Sequence, residues 1–182
     1  MRFELTLHPD CICRAVQRIE VEAARPRPDV LALHYLVTCD RAKLVLPPPK
    51  GTSQRADELW KHPCFEAFVR AAGGPAYLEF NIASSGDWAS YRFDDYRQGM
   101  RIAEEAQLSA RSESYDSGSV EIAAAFDLAF ALREPWRLGV SAVIEESDGA
   151  KSYWALKHAP GKPDFHHADS FAMMRGGHLD IC

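Results

Sequence analysis

The sequence predicts an all-β protein: a single antiparallel β-sandwich of jelly-roll or immunoglobulin-like type, spanning 1–182 as one domain, with one or two short helices. Three observations lead there. Apolar and polar residues alternate with period two in many short segments, which puts one set of side chains in a core and the other in water. Gly, Pro, Asp and Ser turns separate those segments at short intervals, as in an antiparallel sandwich. Long stretches of helical periodicity are absent, so neither a helical bundle nor a doubly wound sheet can be built.

The elements follow in chain order. Phe3, Leu5 and Leu7 alternate with Glu4 and Thr6, and Val16, Ile19 and Val21 are set among Gln17, Arg18, Glu20 and Glu22. Residues 30–38 (VLALHYLVT) are rich in β-formers. Residues 65–70 (FEAFVR) and 77–82 (YLEFNI) predict two more strands, and the turn Ser84-Ser85-Gly86 leads into a return strand through Trp88, Arg92 and Phe93. Val120, Ile122 and Ala124 mark another, Leu138, Val140, Ala142 and Ile144 a clean period-two face, and Tyr153 and Trp154 the last strong strand. Residues 171–174 add one more, for a total of about nine to eleven strands. The short helices are expected at 96–107 (YRQGMRIAEEAQ), where Gly99 weakens the propensity, and at 126–133, with Asp127 as cap and Pro135 as stop.

Composition bounds the function. The chain has 182 residues, 47% hydrophobic and 26% charged, the size and balance of one globular domain. The net charge of −5 argues against nucleic acid as a partner and against a polybasic membrane anchor. No stretch approaches the apolar length of a transmembrane helix. The five cysteines, Cys11, Cys13, Cys39, Cys64 and Cys182, are an odd count that does not suit a disulfide framework. Glu4, His8 and Asp10 interrupt any apolar leader core. Together these features predict a cytoplasmic chain with reduced thiols. Nucleophile elbows, phosphate-binding glycine loops and paired CxxC motifs are absent, and Cys11-Ile-Cys13 is only CxC. No catalytic residue and no metal ligand is expected.

Three segments carry the candidate binding groups. In Trp60-Lys-His-Pro-Cys-Phe-Glu66, a tryptophan stands at the mouth of a strand whose Cys64, Glu66 and Phe68 share one face. An aromatic face beside a carboxylate suits a sugar: the ring stacks on C–H groups while the carboxylate accepts hydrogen bonds from hydroxyls. In the second segment Glu79 and Asn81 share one strand face and Trp88 and Arg92 share a face of the next. Those two faces are expected to meet across the ladder. In the third, residues 152–167, Trp154, Lys162 and His166 accompany His158, Asp164 and His167 in a proline-braced loop. The histidines there lack the spacing of a helical metal site. For each segment the plain alternative is structural: Trp60 in the core, Glu66 solvated, a cross-strand pair, a braced loop.

Taken together, the motifs DELWKHPCFEAFV, YLEFNIASSGDWASYRF and YWALKHAPGKPDFHHADSF resemble the DOMON-like sandwich proteins of bacteria, which are close in fold to the family-nine carbohydrate-binding modules. The resemblance runs from about Arg55 to Met174. It implies that Trp60 and Glu66 contact a terminal sugar and that a second tryptophan, Trp154 or Trp88, completes a sandwich around it. Arg92 and Asn81 would add hydrogen bonds, by type and place. The expected function is therefore non-catalytic binding of a small ligand, a saccharide or polyol, on a concave aromatic face formed by Trp60, Glu66, Asn81, Trp88, Arg92, Trp154, Lys162 and His166. No cofactor is expected. One alternative is a haem- or metal-binding protein on the same scaffold, since the haem-binding relatives use Met and His. The other is an enzyme using His158, Asp164 and His166 as acid–base groups. No partner protein is indicated.

Overall fold

A computed structural model describes residues 1–71, 73–130, 136–175 and 178–180. Thirteen strands run through them: β1 (Arg2–Leu7), β2 (Val16–Ala24), β3 (Val30–Cys39), β4 (Cys64–Ala71), β5 (Tyr77–Ala83), β6 (Trp88–Phe93), β7 (Arg101–Ile102), β8 (Ala106–Tyr115), β9 (Ser119–Leu128), β10 (Trp136–Glu145), β11 (Lys151–Ala155), β12 (Ala172–Arg175) and β13 (His178–Asp180). Helix is confined, among the described residues, to single 3-10 turns at Arg41–Lys43, Leu59–Lys61 and Ala168–Ser170.

The all-β, antiparallel part of the expected fold is observed. Instead of two separate sheets, however, eleven strands follow one path, β7-β6-β5-β4-β10-β11-β1-β2-β3-β9-β8, with β12 and β13 added beside β10. The turning point is β1, whose residues from Arg2 to Leu5 pair with β2 while Thr6 and Leu7 pair with β11. The sheet curls there and its halves face each other. Across the gap the Tyr35 hydroxyl donates to the Glu66 carbonyl at 2.6 Å, and Phe126 of β9 packs on Phe80 and Trp88. The two ends of the path also meet: the Ser90 carbonyl of β6 accepts from the Ala103 N–H at 3.0 Å, and the Ser90 hydroxyl lies 2.7 Å from the Ala106 carbonyl.

Between the halves lies the main core. Leu5, Ile19, Tyr35, Phe65, Phe80, Phe126, Leu138 and Ile144 are among its fully enclosed side chains, each worth about 1.5–3 kcal/mol of burial. β4 and β5 are buried on both faces. Phe65, Ala67, Leu78 and Phe80 point into the main core, whereas Phe68, Tyr77, Ala89, Tyr91 and Phe93 form a second cluster on the opposite side, under Trp60, Phe165 and Phe171. That second cluster is the bed of the site.

Among the described residues neither expected helix forms. In 96–107 the chain makes a tight hairpin bridged at Asp95 and Gln98, then β7 and the start of β8. Arg97 (φ 52°) and Gly99 (φ 67°) are both left-handed, which ends any helix; a Cβ on Gly99 would sit 2.3 Å from an Asp94 carboxylate oxygen. Residues 126–128 finish β9; 131–133 of that expected helix, and its Pro135 stop, lie outside the described residues. β8 escapes the period-two pattern because it is an edge strand with a bulge between Leu108 and Ala110.

Candidate functional site

On the outer face of β4, β5, β10 and β11, a cavity of about 360 Å³ opens beneath the 157–170 loop. Strand parity and register place its floor. Glu66 of β4 lies opposite Asn81 of β5 and Ser141 of β10, and Glu79 stands diagonally one pair along. Trp60, carried by the single turn Leu59–Lys61, leans edge-on against Tyr91 with ring centroids 5.8 Å apart. Phe165 and Tyr153 form the facing wall, 6.2 Å between centroids. Arg97 and Met100 reach in from the 94–100 hairpin. The left-handed backbone at Glu58 and Arg97, rare for residues with a Cβ, occurs beside this cavity at the entries of Trp60 and Arg97.

Two carboxyl groups dominate the floor, each only 3% exposed. Glu66 Oε2 receives a long contact from the Ser141 hydroxyl at 3.4 Å, and Glu66 Oε1 is buried without a partner. Burial, and then the charge of Glu79, push the Glu66 carboxyl well above the usual carboxylate range. Burial raises Glu79 to about 7, against the pull of the Asn81 hydrogen bond and the Arg97 charge. Asn81 is fully enclosed; its amide donates to Glu79 Oε1 at 2.7 Å and its oxygen accepts from the Cys64 thiol at 3.6 Å.

His166 closes one side. Its Nδ1 is 2.7 Å from the Tyr77 hydroxyl, which also accepts the Arg97 backbone N–H at 3.2 Å. If Tyr77 donates to Nδ1, the ring proton is on Nε2, which faces Glu79 Oε2 at 3.9 Å. Desolvation, with the nearby Arg97 charge, lowers the His166 pKa to about 4, so the ring is neutral near pH 7 and serves as an N–H donor. Arg97 is anchored by Asp164 at 2.9 Å. Burial alone would raise Asp164, but hydrogen bonds from Tyr96 and Arg97 outweigh it and hold that carboxyl below its usual range.

Of the eight residues predicted from sequence, the cavity gathers Trp60, Glu66 and His166, with Asn81 directly beneath. The other four lie elsewhere. Trp88 and Trp154 point into the main core; Trp88 is capped by the Arg55 guanidinium at 4.8 Å, and the Trp154 indole N–H donates to Ser152 at 3.1 Å. Arg92 shares the Trp88 face and pairs with Glu105. The reason is register: Glu79 stands opposite Tyr91 and Asn81 opposite Ala89, so the Trp88–Arg92 parity faces away from the carboxyls. Lys162 is exposed and does not line the cavity, although its neighbour Pro163 does. His158 is turned toward β1, 2.8 Å from the Thr6 carbonyl and stacked edge-on with His8. It therefore does not join Asp164 and His166 as an acid–base cluster. Among the described residues no group of three His, Cys, Asp or Glu side chains is placed to hold a metal ion.

Sequence reasoning set Glu79 on the Asn81 face but left it out of the eight binding residues, and it missed Tyr153, Phe165 and Arg97 as lining residues. Glu79 and Tyr153 follow from parity with Asn81 and Trp154 once one knows which face is covered. Arg97 carried no signal, because its role depends on a left-handed turn.

No family model matches the chain. Among curated proteins, a stretch of 18 residues is 94% identical to part of a 3-oxoadipate CoA-transferase from Acinetobacter baylyi; it spans 10% of this chain and 8% of that protein, too little to indicate a shared family. Among solved structures, a proposed carbohydrate-binding protein from Bacteroides uniformis superposes with a TM-score of 0.60 at 14% identity, over 93% of this chain and 82% of its own. Two structures of a family-nine carbohydrate-binding module from Caldicellulosiruptor kristjanssonii are more distant. The glucose complex gives 0.44 at 12% identity, covering 79% of this chain and 69% of its own. The cellotriose complex gives 0.48 at 11% identity, covering 87% and 75%. At these identities the likeness concerns fold alone, and the chain shares with the Bacteroides protein one antiparallel β scaffold over nearly its whole length.

Proposed function

We propose that this protein binds a small saccharide or related polyol, without turning it over, in the cavity between Trp60 and Phe165. The observation that carries the reading is a single one: aromatic walls and a buried carboxyl oxygen without a partner, Glu66 Oε1, meet in one cavity. Sugar rings present C–H faces to aromatic rings and hydroxyls to carboxyls, which a pocket of purely apolar lining would leave unpaired. The volume, about 360 Å³, falls at the small end of ligand sites and suits one or two sugar rings. Glu66 and Glu79 accept from or donate to hydroxyls according to their protonation, and the His166 Nε2–H adds a donor. The fold shared with the Bacteroides carbohydrate-binding candidate is consistent with this reading. The same reading takes the chain as a DOMON-like domain acting in the cytoplasm without haem, metal or catalytic residues.

Titration calorimetry against a panel of mono- and disaccharides and polyols tests it. Binding at millimolar or better affinity, weakened about tenfold by Trp60→Ala, is expected. Silence from the whole panel at about 10 mM, or binding indifferent to Trp60→Ala, overturns it.

A further inference from the structure

The charge of the cavity floor says more about the ligand than its aromatic walls do. Glu66 and Glu79 approach each other closely enough that each affects the other's ionisation. No guanidinium or ammonium among the described residues forms an ion pair with either, and the one basic group within range, His166 at 3.9 Å from Glu79, is neutral near pH 7. Arg97 lies in the same cavity and its charge draws both carboxyls down, but its guanidinium is paired with Asp164 and forms no ion pair with either of them. The other titratable groups that feel the pair are Cys64, Tyr35, Tyr77 and Tyr91, all pushed up by burial and so uncharged near pH 7, with the Ser141 hydroxyl beside Glu66. Two carboxyl oxygens stay open to a donor: Glu66 Oε1, buried and unpartnered, and Glu79 Oε2, 3.9 Å from the His166 ring.

We infer that the ligand carries a protonated amine beside its hydroxyls, an amino sugar or aminopolyol, with the ammonium seated between Glu66 Oε1 and Glu79 Oε2. This rests on the saccharide reading above and narrows its ligand class. An ammonium brings three donors and one positive charge. It donates to both open oxygens and offsets one of the two charges the pair carries when ionised, whereas a neutral sugar leaves the pair to hold protons instead. Trp60 and Tyr153 line the same cavity, and aromatic ring faces attract a cation. The raised carboxyls fit a site made to receive a positive charge: with the ligand bound both ionise, so binding below pH 7 releases protons.

Calorimetry with D-glucosamine, D-glucose and N-acetyl-D-glucosamine at pH 5.5, 7 and 9 tests this. Near pH 7 glucosamine binds about ten- to a hundredfold tighter than the two uncharged sugars, the worth of a charge-assisted hydrogen bond. The advantage shrinks at pH 5.5, where the carboxyls hold protons, and at pH 9, where the amine loses its own. At pH 6, titrations in buffers of different ionisation enthalpy show proton release for glucosamine and not for glucose. Glu66→Gln brings the glucosamine-to-glucose ratio to within about threefold, with folding confirmed by circular dichroism, and Glu79→Gln serves if that variant fails to fold. Glucose bound as tightly as glucosamine overturns this inference and leaves the saccharide reading standing. No binding by any of the three sugars overturns this inference, and silence across the wider panel removes the saccharide reading as well. A glucosamine preference untouched by both Gln variants places the amine elsewhere and overturns this inference.

Discussion

Replacing Glu66 by Gln should make the protein's stability less dependent on pH, and the direction can be worked out from the structure. A carboxyl whose pKa is raised on folding holds its proton more tightly in the native state than in the unfolded chain. Between its unfolded and folded pKa the native state carries the extra proton, so stability is present at low pH and is lost as pH rises. For each pH unit in which that difference is a full proton, stability falls by about 1.4 kcal/mol. Glu66 is 3% exposed and raised well above the ordinary range, first by burial and then by Glu79, so solvent screening discounts little of this. As pH rises from 6.5 to 8.5 the wild type should therefore lose stability relative to Glu66→Gln, which stays neutral throughout, by up to about 3 kcal/mol, the limit for two pH units. In a chain of this length that limit is about 6–12 °C of melting temperature. The window is chosen so that His166, lowered to about 4, and the depressed carboxyls of Asp87, Glu105 and Asp164 contribute nothing to the slope. Glu79 titrates within it, but largely cancels between the two proteins. Urea denaturation at four pH values, fitted with a common m-value, measures the difference. A wild type whose stability relative to Glu66→Gln stays level or rises across that window would refute the reasoning, because Glu66 would then be ionised in the native state.

Other substitutions separate core from site. Trp154→Ala should cost about 3–5 kcal/mol in urea denaturation, as for a large core aromatic, and Trp60→Ala clearly less, because Trp60 is only partly buried. Equal losses would mean that Trp60 is also a core residue. Gly99→Ala should cost at least about 1–2 kcal/mol and weaken sugar binding through the displaced Arg97 hairpin, since φ is 67° and the added methyl meets Asp94; a neutral result by thermal melting would contradict that geometry. Lys162→Ala should leave both sugar affinity and stability unchanged, within about 0.5 kcal/mol, because the side chain is exposed and away from the cavity.

The strands were legible where apolar residues recur with period two. Leu138, Val140, Ala142 and Ile144 all face the main core from β10, as their alternation requires, although the strand's other face is buried as well. Trp60 and Glu66, named together because both belong to one local segment, line the same cavity. What failed was everything that depends on register between strands. Asn81 and Arg92 look like neighbours in sequence, yet the ladder sets Asn81 against Ala89 and turns Arg92 to the other face. Choosing between Trp88 and Trp154 was equally a register question, and both are core. Glu79 stood in plain view beside Asn81, but nothing local says that loops will cover its face of β5. Arg97 was hidden by a different cause, the left-handed turn that carries it into the cavity.

The pairing of β1 sets an order of events during synthesis. Its last two residues lie against Trp154 and Ala155, some 149 positions further along. The ribosome must therefore release the chain past residue 155 before the seam of the sheet can be sewn. Contacts of such long range slow folding and leave unpaired edges waiting in the meantime. Tyr153 and Phe165, the far wall of the cavity, emerge in the same late interval. A nascent chain stalled before residue 150 would lack both the seam and the wall, so ligand capture and closure of the sheet should arrive together.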